Sequence, residues 1–172
     1  MNFLELAKER YSVRKFQDRP IEKADMDKIL EAGNVAPTGC NYQPQRIYVV
    51  TSDENIAKLN ENCRCIFGAK TVLMFTYRTD EEWHNPLEKS VHSGVQDVSI
   101  VASHIMLEAW ELGVGSCWVN YFANSQLEKA FGLTENEKIV LLMPIGYPAE
   151  DAEPLAKMHF SYKPIEDTVK FI

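Results

Sequence analysis

Residues 93–112 read as a single helix whose apolar side chains do not keep to one stripe. Val98, Val101, Ala102, Ile105, Leu107, Ala109 and Trp110 cover most of its circumference. Such a helix must lie in a core or against another chain, because a wet surface tolerates only a narrower apolar face. Gly113 stands where the chain would leave it. The strands needed to cover this helix have the same character. Thr71–Tyr77 (TVLMFTY) and Ile139–Ile145 (IVLLMPI) are apolar enough to be buried on both faces. Ile47–Thr51 is a third strand, rich in β-branched residues, and Ser116–Asn120 a fourth.

Shorter helices are expected over Asn2–Arg10 and Ile21–Val35, the second with Met26, Ile29, Leu30 and Ala32 at helical spacing. Ser52 or Asp53 caps another that ends near Cys63, and Ser125–Phe131 makes a short one. Pro37, Gly39 and Pro44 enforce an irregular loop. The tail from Ala149 to Ile172 reads as extended, and its apolar residues (Phe160, Tyr162, Ile165, Val169, Phe171 and Ile172) are expected to dock. Helices and strands alternate without a strict βαβ rhythm, which makes the class α+β. No repeat, low-complexity tract or charge block divides the chain, so residues 1–172 are read as a single domain.

Composition narrows the partners. At 172 residues the chain can bury about 70% of its unfolded surface, and needs no disulfide or structural metal. Eighteen Lys and Arg against 25 Asp and Glu leave a net charge of −7, which repels nucleic acid and anionic membrane at long range. No run approaches the roughly 18 apolar residues of a membrane span. The N-terminus lacks a basic stretch followed by an apolar one. A cytoplasmic location is expected, with no nucleic-acid or membrane partner. Cys40, Cys63, Cys65 and Cys117 are read as reduced thiols. Cys63-Arg64-Cys65 is too closely spaced for the usual zinc pattern, so no metal is expected. Cys117 reads as a small buried hydrophobe, His104 as an interface or core residue, and His84 and His92 as surface residues.

Two stretches carry chemistry. Lys8, Arg10, Arg14, Lys15, Arg19 and Lys23 crowd the start of an otherwise acidic chain, around Arg10-Tyr11-Ser12-Val13-Arg14-Lys15-Phe16. A hydroxyl between two guanidinium forks suits a phosphate, and a solvated charged loop is the plainer alternative; spacing leaves both open. No Walker A sequence and no G-x-G-x-x-G follows a strand. The second stretch is Ala36-Pro37-Thr38-Gly39-Cys40-Asn41-Tyr42-Gln43-Pro44. Its Asn41 and Gln43 amides suit the edge of a heterocycle with mixed donors and acceptors, or simply satisfy the loop backbone.

Together these segments resemble the nitroreductase family of dimeric flavoproteins that use flavin mononucleotide (FMN). Its Arg-x-Ser-x-Arg-x-Phe pattern is met by Arg10, Ser12, Arg14 and Phe16, and its Ala-Pro-Ser/Thr-x-x-Asn-x-Gln-Pro loop by Ala36 through Pro44. Gly94–Ala102, Leu112–Trp118 and Pro144–Pro148 give three further matches in register. The resemblance implies a mostly antiparallel sheet flanked by helices and an intertwined homodimer. It implies that Arg10 and Ser12 bind the FMN phosphate and that the adjoining Tyr11 belongs to the cofactor site. Arg14 would lie by the pyrimidine side of the flavin, where a cation favours the reduced anion, and Asn41 would bond its N3/O2 edge. Pro37 and Thr38, in the loop with Gly39 and Gln43, would face the flavin bound mainly by the other subunit. Backbone groups near Trp118, Val119 and Asn120 would approach the ring and N5.

The activity implied is FMN-dependent oxidation of NADH or NADPH. Hydride would pass through flavin N5 to a small-molecule acceptor (a nitroaromatic, quinone or activated alkene) in ping-pong order. No side chain is nominated as catalytic, since the flavin carries the chemistry. The same FMN site also suits a flavin-binding module, or a relative that dehalogenates or modifies flavin. The chain departs from the family twice. Tyr162 stands where a C-terminal arginine usually reaches the phosphate, which leaves Lys163 as the substitute, with Lys157 and His159 as alternatives. The excursion around 78–93 is also shorter than in many relatives.

Overall fold

Two strands that cannot face water on either side set the architecture, and everything else covers them. In the computed structural model, which describes residues 2–172, the helices α1 (Phe3–Glu9) and α2 (Lys23–Asn34) precede strand β1 (Gln45–Val50). Helix α3 (Asp53–Asn62), strand β2 (Thr71–Arg78), helix α4 (Gly94–Glu111) and the two-residue strand β3 (Gly115–Ser116) follow. Helix α5 (Asn124–Ala130), strand β4 (Glu137–Gly146) and the one-turn helices α6 (Ala156–His159) and α7 (Ile165–Thr168) complete the chain. The sheet runs β1-β2-β4-β3, with every neighbouring pair antiparallel. The structure is thus α+β with an antiparallel sheet between helices.

The expected double burial of β2 and β4 is present, and it divides the core in two. Leu73, Phe75 and Tyr77 point toward α4 and α2, packing with Ile29, Val98, Val101 and Ile105. Val72 and Met74 point the other way, toward Leu59 of α3 and Leu127 of α5. This is the period-two alternation of a strand. In β4 the alternation breaks: Val140 and Leu141 both join the α4 side. The pairing explains it. Phe75 pairs with Leu141 and Thr76 with Ile139, leaving Val140 as the extra residue of a β-bulge.

Local signals place the helix ends. The side chain of Asn2 accepts from Glu5 N while Glu5 reaches back to Asn2 N, a reciprocal capping box. Ser52 Oγ accepts from Asn55 N at the start of α3. Gly113, at φ +73°, turns the chain out of α4 in a conformation that favours glycine.

Two sequence expectations are corrected. Ser116–Asn120 is not a continuous strand. Regular pairing stops at Ser116, and Cys117 N→Pro144 O (3.1 Å) and the Val119–Leu142 pair continue it as isolated contacts. The tail is not extended throughout: it carries two helical turns, its 151–159 part rests on the Tyr11–Lys15 segment, and Phe160, Tyr162, Ile165, Phe171 and Ile172 are exposed on the single chain. His104, expected at an interface or in the core, is exposed on the single chain, which leaves the interface reading open. Residues 79–93 connect β2 to α4 without a helix.

The segment after α1 lies beyond the sheet's β3 edge. Ser12 bridges Ser116, Val13 N donates to Ser116 O (2.9 Å), and Gln17 N donates to Tyr147 O (2.8 Å). Val13 comes so close to Gly115 that a Cβ there would collide with it, lying also 3.1 Å from Pro148 Cγ. Gly115→Ala is therefore expected to cost about 1–3 kcal/mol through overpacking. The check is urea unfolding, with a lowered midpoint at unchanged slope; an unchanged midpoint would contradict this close approach.

Candidate functional site

The Arg10–Phe16 segment is extended because it pairs with its neighbours, and its alternation sorts its side chains. Val13 is fully buried, so Ser12 and Arg14 face the other way. Arg14 Nη1 donates to Ser12 O at 2.9 Å, and its guanidinium carbon lies 5.9 Å from the centre of the Phe67 ring. Tyr11 sits edge-on to Trp110, centroids 5.1 Å apart, and its hydroxyl donates to Ala152 O at 3.0 Å. Arg10, Tyr11, Ser12 and Arg14 form one wall of a cleft of about 120 Å³ that the 155–159 segment closes. That volume suits one compact group, being well below the roughly 300 Å³ at which drug-sized ligands begin.

The cleft is locally cationic in a chain of net charge −7. Among the described residues neither Arg10 nor Arg14 forms an ion pair, whereas Lys15 beside them reaches Asp151 at 2.6 Å. Two guanidinium groups without carboxylates, next to a hydroxyl, form a donor set for a tetrahedral oxyanion.

Trp118, Val119 and Asn120 follow β3 and lie on the same side of the sheet's order. Trp118 Nε1 donates to Asn120 Oδ1 (2.5 Å), and Asn120 Nδ2 donates to Val140 O (2.7 Å). The bulge leaves Val140 unpaired in β2, so the extra residue of β4 is what fixes Asn120. The neighbouring Cys117 is buried, and burial pushes its thiol above the usual range, against the pull of Arg14, Ser12 and Arg10. It is a poor nucleophile.

The Pro37–Gln43 loop is built against strain. Cys40, Asn41 and Gln43 have φ of 48°, 59° and 50°, the left-handed region that side chains disfavour. The loop holds this shape by hydrogen bonds: Gln43 N→Thr38 Oγ1 (3.1 Å), Gln43 Nε2→Asn41 O (3.4 Å) and Asn41 N→Thr38 O (3.0 Å). Its external anchor is Asp97, only 2% exposed, which accepts from Gly39 N at 2.7 Å and Ser93 Oγ at 2.6 Å. Pro37 and Asn41 are exposed, and the Asn41 carboxamide makes no hydrogen bond among the described residues.

Asp97 and a second carboxylate, Glu82, escape a sequence reading. Buried Glu82 accepts from Gly94 N and His92 Nδ1, both at 2.7 Å, tying the short excursion to the start of α4. The available signal was an acid, Asp97, directly before the mostly apolar run Val98–Ala102 of a core helix. An acid there has to find donors.

The structure brings Arg10, Tyr11, Ser12 and Arg14 to the β3 edge beside Trp118–Asn120. Pro37, Thr38, Gly39, Asn41 and Gln43 instead lead into β1, the opposite edge of the sheet. Lys163 lies on the exposed tail beyond α6 and does not line the cleft. A further cavity of about 750 Å³ shares no lining residue with the cleft: an apolar groove between α1, α2 and α4, edged by Phe3, Leu6, Val35 and Leu107.

Comparison with known proteins places this arrangement. Residues 7–67 and 60–147 match the Nitroreductase family. The chain is similar to a Methanothermobacter thermautotrophicus protein assigned the name NADH dehydrogenase/NAD(P)H nitroreductase. The two are 30% identical over 158 residues, covering 88% of this chain and 80% of that protein. It is 27% identical over 165 residues to the NADPH-flavin oxidoreductase of Vibrio harveyi, covering 88% of this chain and 68% of that one. Among solved structures, a nitroreductase family protein from Clostridium difficile 630 superposes with a TM-score of 0.91 at 36% identity. It covers 99% of this chain and 98% of its own.

Asp97→Ala would strand the Gly39 N–H and the Ser93 hydroxyl in a strained loop, at an expected cost of about 1–3 kcal/mol. Urea unfolding measures the cost. Limited proteolysis should cut the variant first within residues 37–43, and cleavage unchanged from the wild type would contradict the anchoring role.

Proposed function

The chain belongs to the nitroreductase family, and from that membership we propose that it is an FMN-dependent oxidoreductase drawing electrons from NADH or NADPH. The acceptor is a small oxidised organic molecule of the nitroaromatic, quinone or activated-alkene type. The observation that carries this reading is the cleft with its two guanidinium groups free of carboxylates. An unpaired cationic pair in an anionic chain is explained by an anion that comes from outside it.

The residues present fit FMN. Arg10, Ser12 and Arg14 supply charge and hydroxyl donors for a phosphate, and the cleft's small volume suits that end of the molecule alone. Asn41 offers an unengaged amide for a polar ring edge. When bound, FMN supplies hydride acceptance from the nicotinamide and transfer to the acceptor. Arg10 and Ser12 bind, and Arg14, held by Ser12 O and Phe67, orients and places a fixed positive charge beside the cofactor. The locked Trp118–Asn120 stretch provides a rigid surface for the ring. No protein side chain is required to exchange a proton during hydride transfer.

Two further features support a homodimer. The phosphate-type cleft and the Pro37–Gln43 loop lie at opposite sheet edges, so one chain offers two half-sites. A twofold partner places one copy's loop against the other copy's cleft. Exposed Phe3, Leu4 and Val35 line or adjoin the apolar groove, and the tail presents Phe160, Tyr162, Ile165 and Phe171 with nothing of its own chain to cover them. Such exposure is characteristic of an interaction surface.

The purified protein is expected to bind FMN, and NADH or NADPH to bleach it; a protein that binds no flavin contradicts the reading. If the flavin binds but neither nicotinamide bleaches it, the chain is a flavin-binding module. Arg10→Ala should weaken FMN binding by about 2–5 kcal/mol, more than Arg14→Ala, whose guanidinium is partly engaged by the protein. Isothermal titration measures both, and unchanged affinity in the Arg10 variant removes its assignment. Sedimentation at micromolar concentration should show a dimer, and a monomer would contradict the shared site.

A further inference from the structure

The oxyanion cleft has two walls of different origin. Arg10, Tyr11, Ser12 and Arg14 form the first; Leu155, Met158 and His159 form the second. Of the second wall only His159 carries a polar side chain. It sits at the last position of α6, its ring edge-on to Tyr11 (centroids 6.1 Å apart) and to Phe160 (4.5 Å). The segment that bears it is held to the cationic strand at two points, Tyr11 Oη→Ala152 O and Lys15–Asp151. Lys157, on the same turn, is exposed and does not line the cleft, and neither does Lys163 beyond Phe160.

We propose that His159 is the C-terminal ligand of the bound phosphate, and that it makes cofactor retention depend on pH. The inference rests on the flavin reading above. Arginines stay charged throughout the working range, whereas an imidazole exchanges its charge between about pH 5 and 8. As imidazolium, His159 offers the oxyanion a charge-assisted donor; as neutral imidazole it keeps one N–H and loses the charge.

The groups facing His159 decide the sign. Arg10 and Arg14 line the same cleft across from it. Burial and then Glu153 push the Tyr11 phenol above its ordinary pKa, so Tyr11 stays neutral beside the ring. Asp151 is paired with Lys15, and Lys157 lies in solvent on the same turn. A charge-assisted donor from an imidazole is present at the acidic end of that range and is lost toward the alkaline end. A phosphate monoester gains its second charge near pH 6, strengthening the arginine contacts in the same range. The ratio of variant to wild type, not wild-type affinity alone, isolates His159.

The test is fluorescence titration of the full-length chain with FMN and with riboflavin, which lacks the phosphate, from about pH 5.5 to 8.5. Wild type is compared with His159→Ala, His159→Arg and Lys163→Ala. At the acidic end His159→Ala should bind FMN about tenfold more weakly, with riboflavin affinity unchanged. The gap should narrow toward the alkaline end. His159→Arg should restore FMN binding at every pH, and Lys163→Ala should match wild type. Equal loss for both flavins, no loss, a gap independent of pH, or the loss appearing in Lys163→Ala instead overturns the proposal. A wild type that binds FMN while His159→Ala is indifferent removes His159 and leaves the flavin reading standing. A wild type that binds neither flavin removes both.

Discussion

The backbone pairing of residues 12–17 with the far edge of the sheet is the constraint on which the rest depends. Ser12 and Val13 run beside Ser116, while Lys15, Phe16 and Gln17 run beside Tyr147–Ala149. This pairing buries Val13 and thereby turns Ser12 and Arg14 outward on the same face, where both line the cleft with Arg10. It is possible only because Gly115 lets the two backbones approach. Without it, six scattered basic residues would be a solvated loop. With it, two guanidinium groups and a hydroxyl share one cleft.

Helix α4 is the second organiser, and it works at a distance from that cleft. Its apolar faces hold the core against β2 and α2, while Asp97 near its start holds the strained Pro37–Gln43 loop. The loop's three left-handed side-chain residues cost free energy that local hydrogen bonds and Asp97 offset. The result is a rigid, exposed loop at the β1 edge, opposite the cationic cleft. Rigidity there serves a ligand contact better than it serves an isolated chain, which fits two copies completing each other's site.

Much of this was legible in the residues. β2, β4 and α4 announce themselves because continuous apolar runs admit few alternatives, and the Arg10-x-Ser12-x-Arg14 alternation survives as side chains on one face. What was not legible depended on partners distant in sequence. The bulge at Val140 breaks no hydrophobic pattern, since Ile139, Val140 and Leu141 are all apolar, yet it decides where Asn120 is held. The Ser116–Asn120 run has strand-like composition, but only Gly115 and Ser116 pair regularly with β4. Asp97 and Glu82 are defined by backbone donors 58 and 12 residues away. The tail's apolar residues signal a docking surface, and on the single chain Phe160, Tyr162, Ile165, Phe171 and Ile172 stay exposed. His159 enters the cleft because one helical turn presents it there, which no spacing rule reveals.

The central claim is that one copy's cationic cleft takes the phosphate while a second copy's Pro37–Gln43 loop meets the ring. A crystal structure of the chain with FMN tests it most directly. The account predicts the phosphate among Arg10, Ser12 and Arg14, with the ring between Trp118–Asn120 of that copy and the loop of the other. A phosphate bound elsewhere, or a ring contacted by one copy alone, would contradict it.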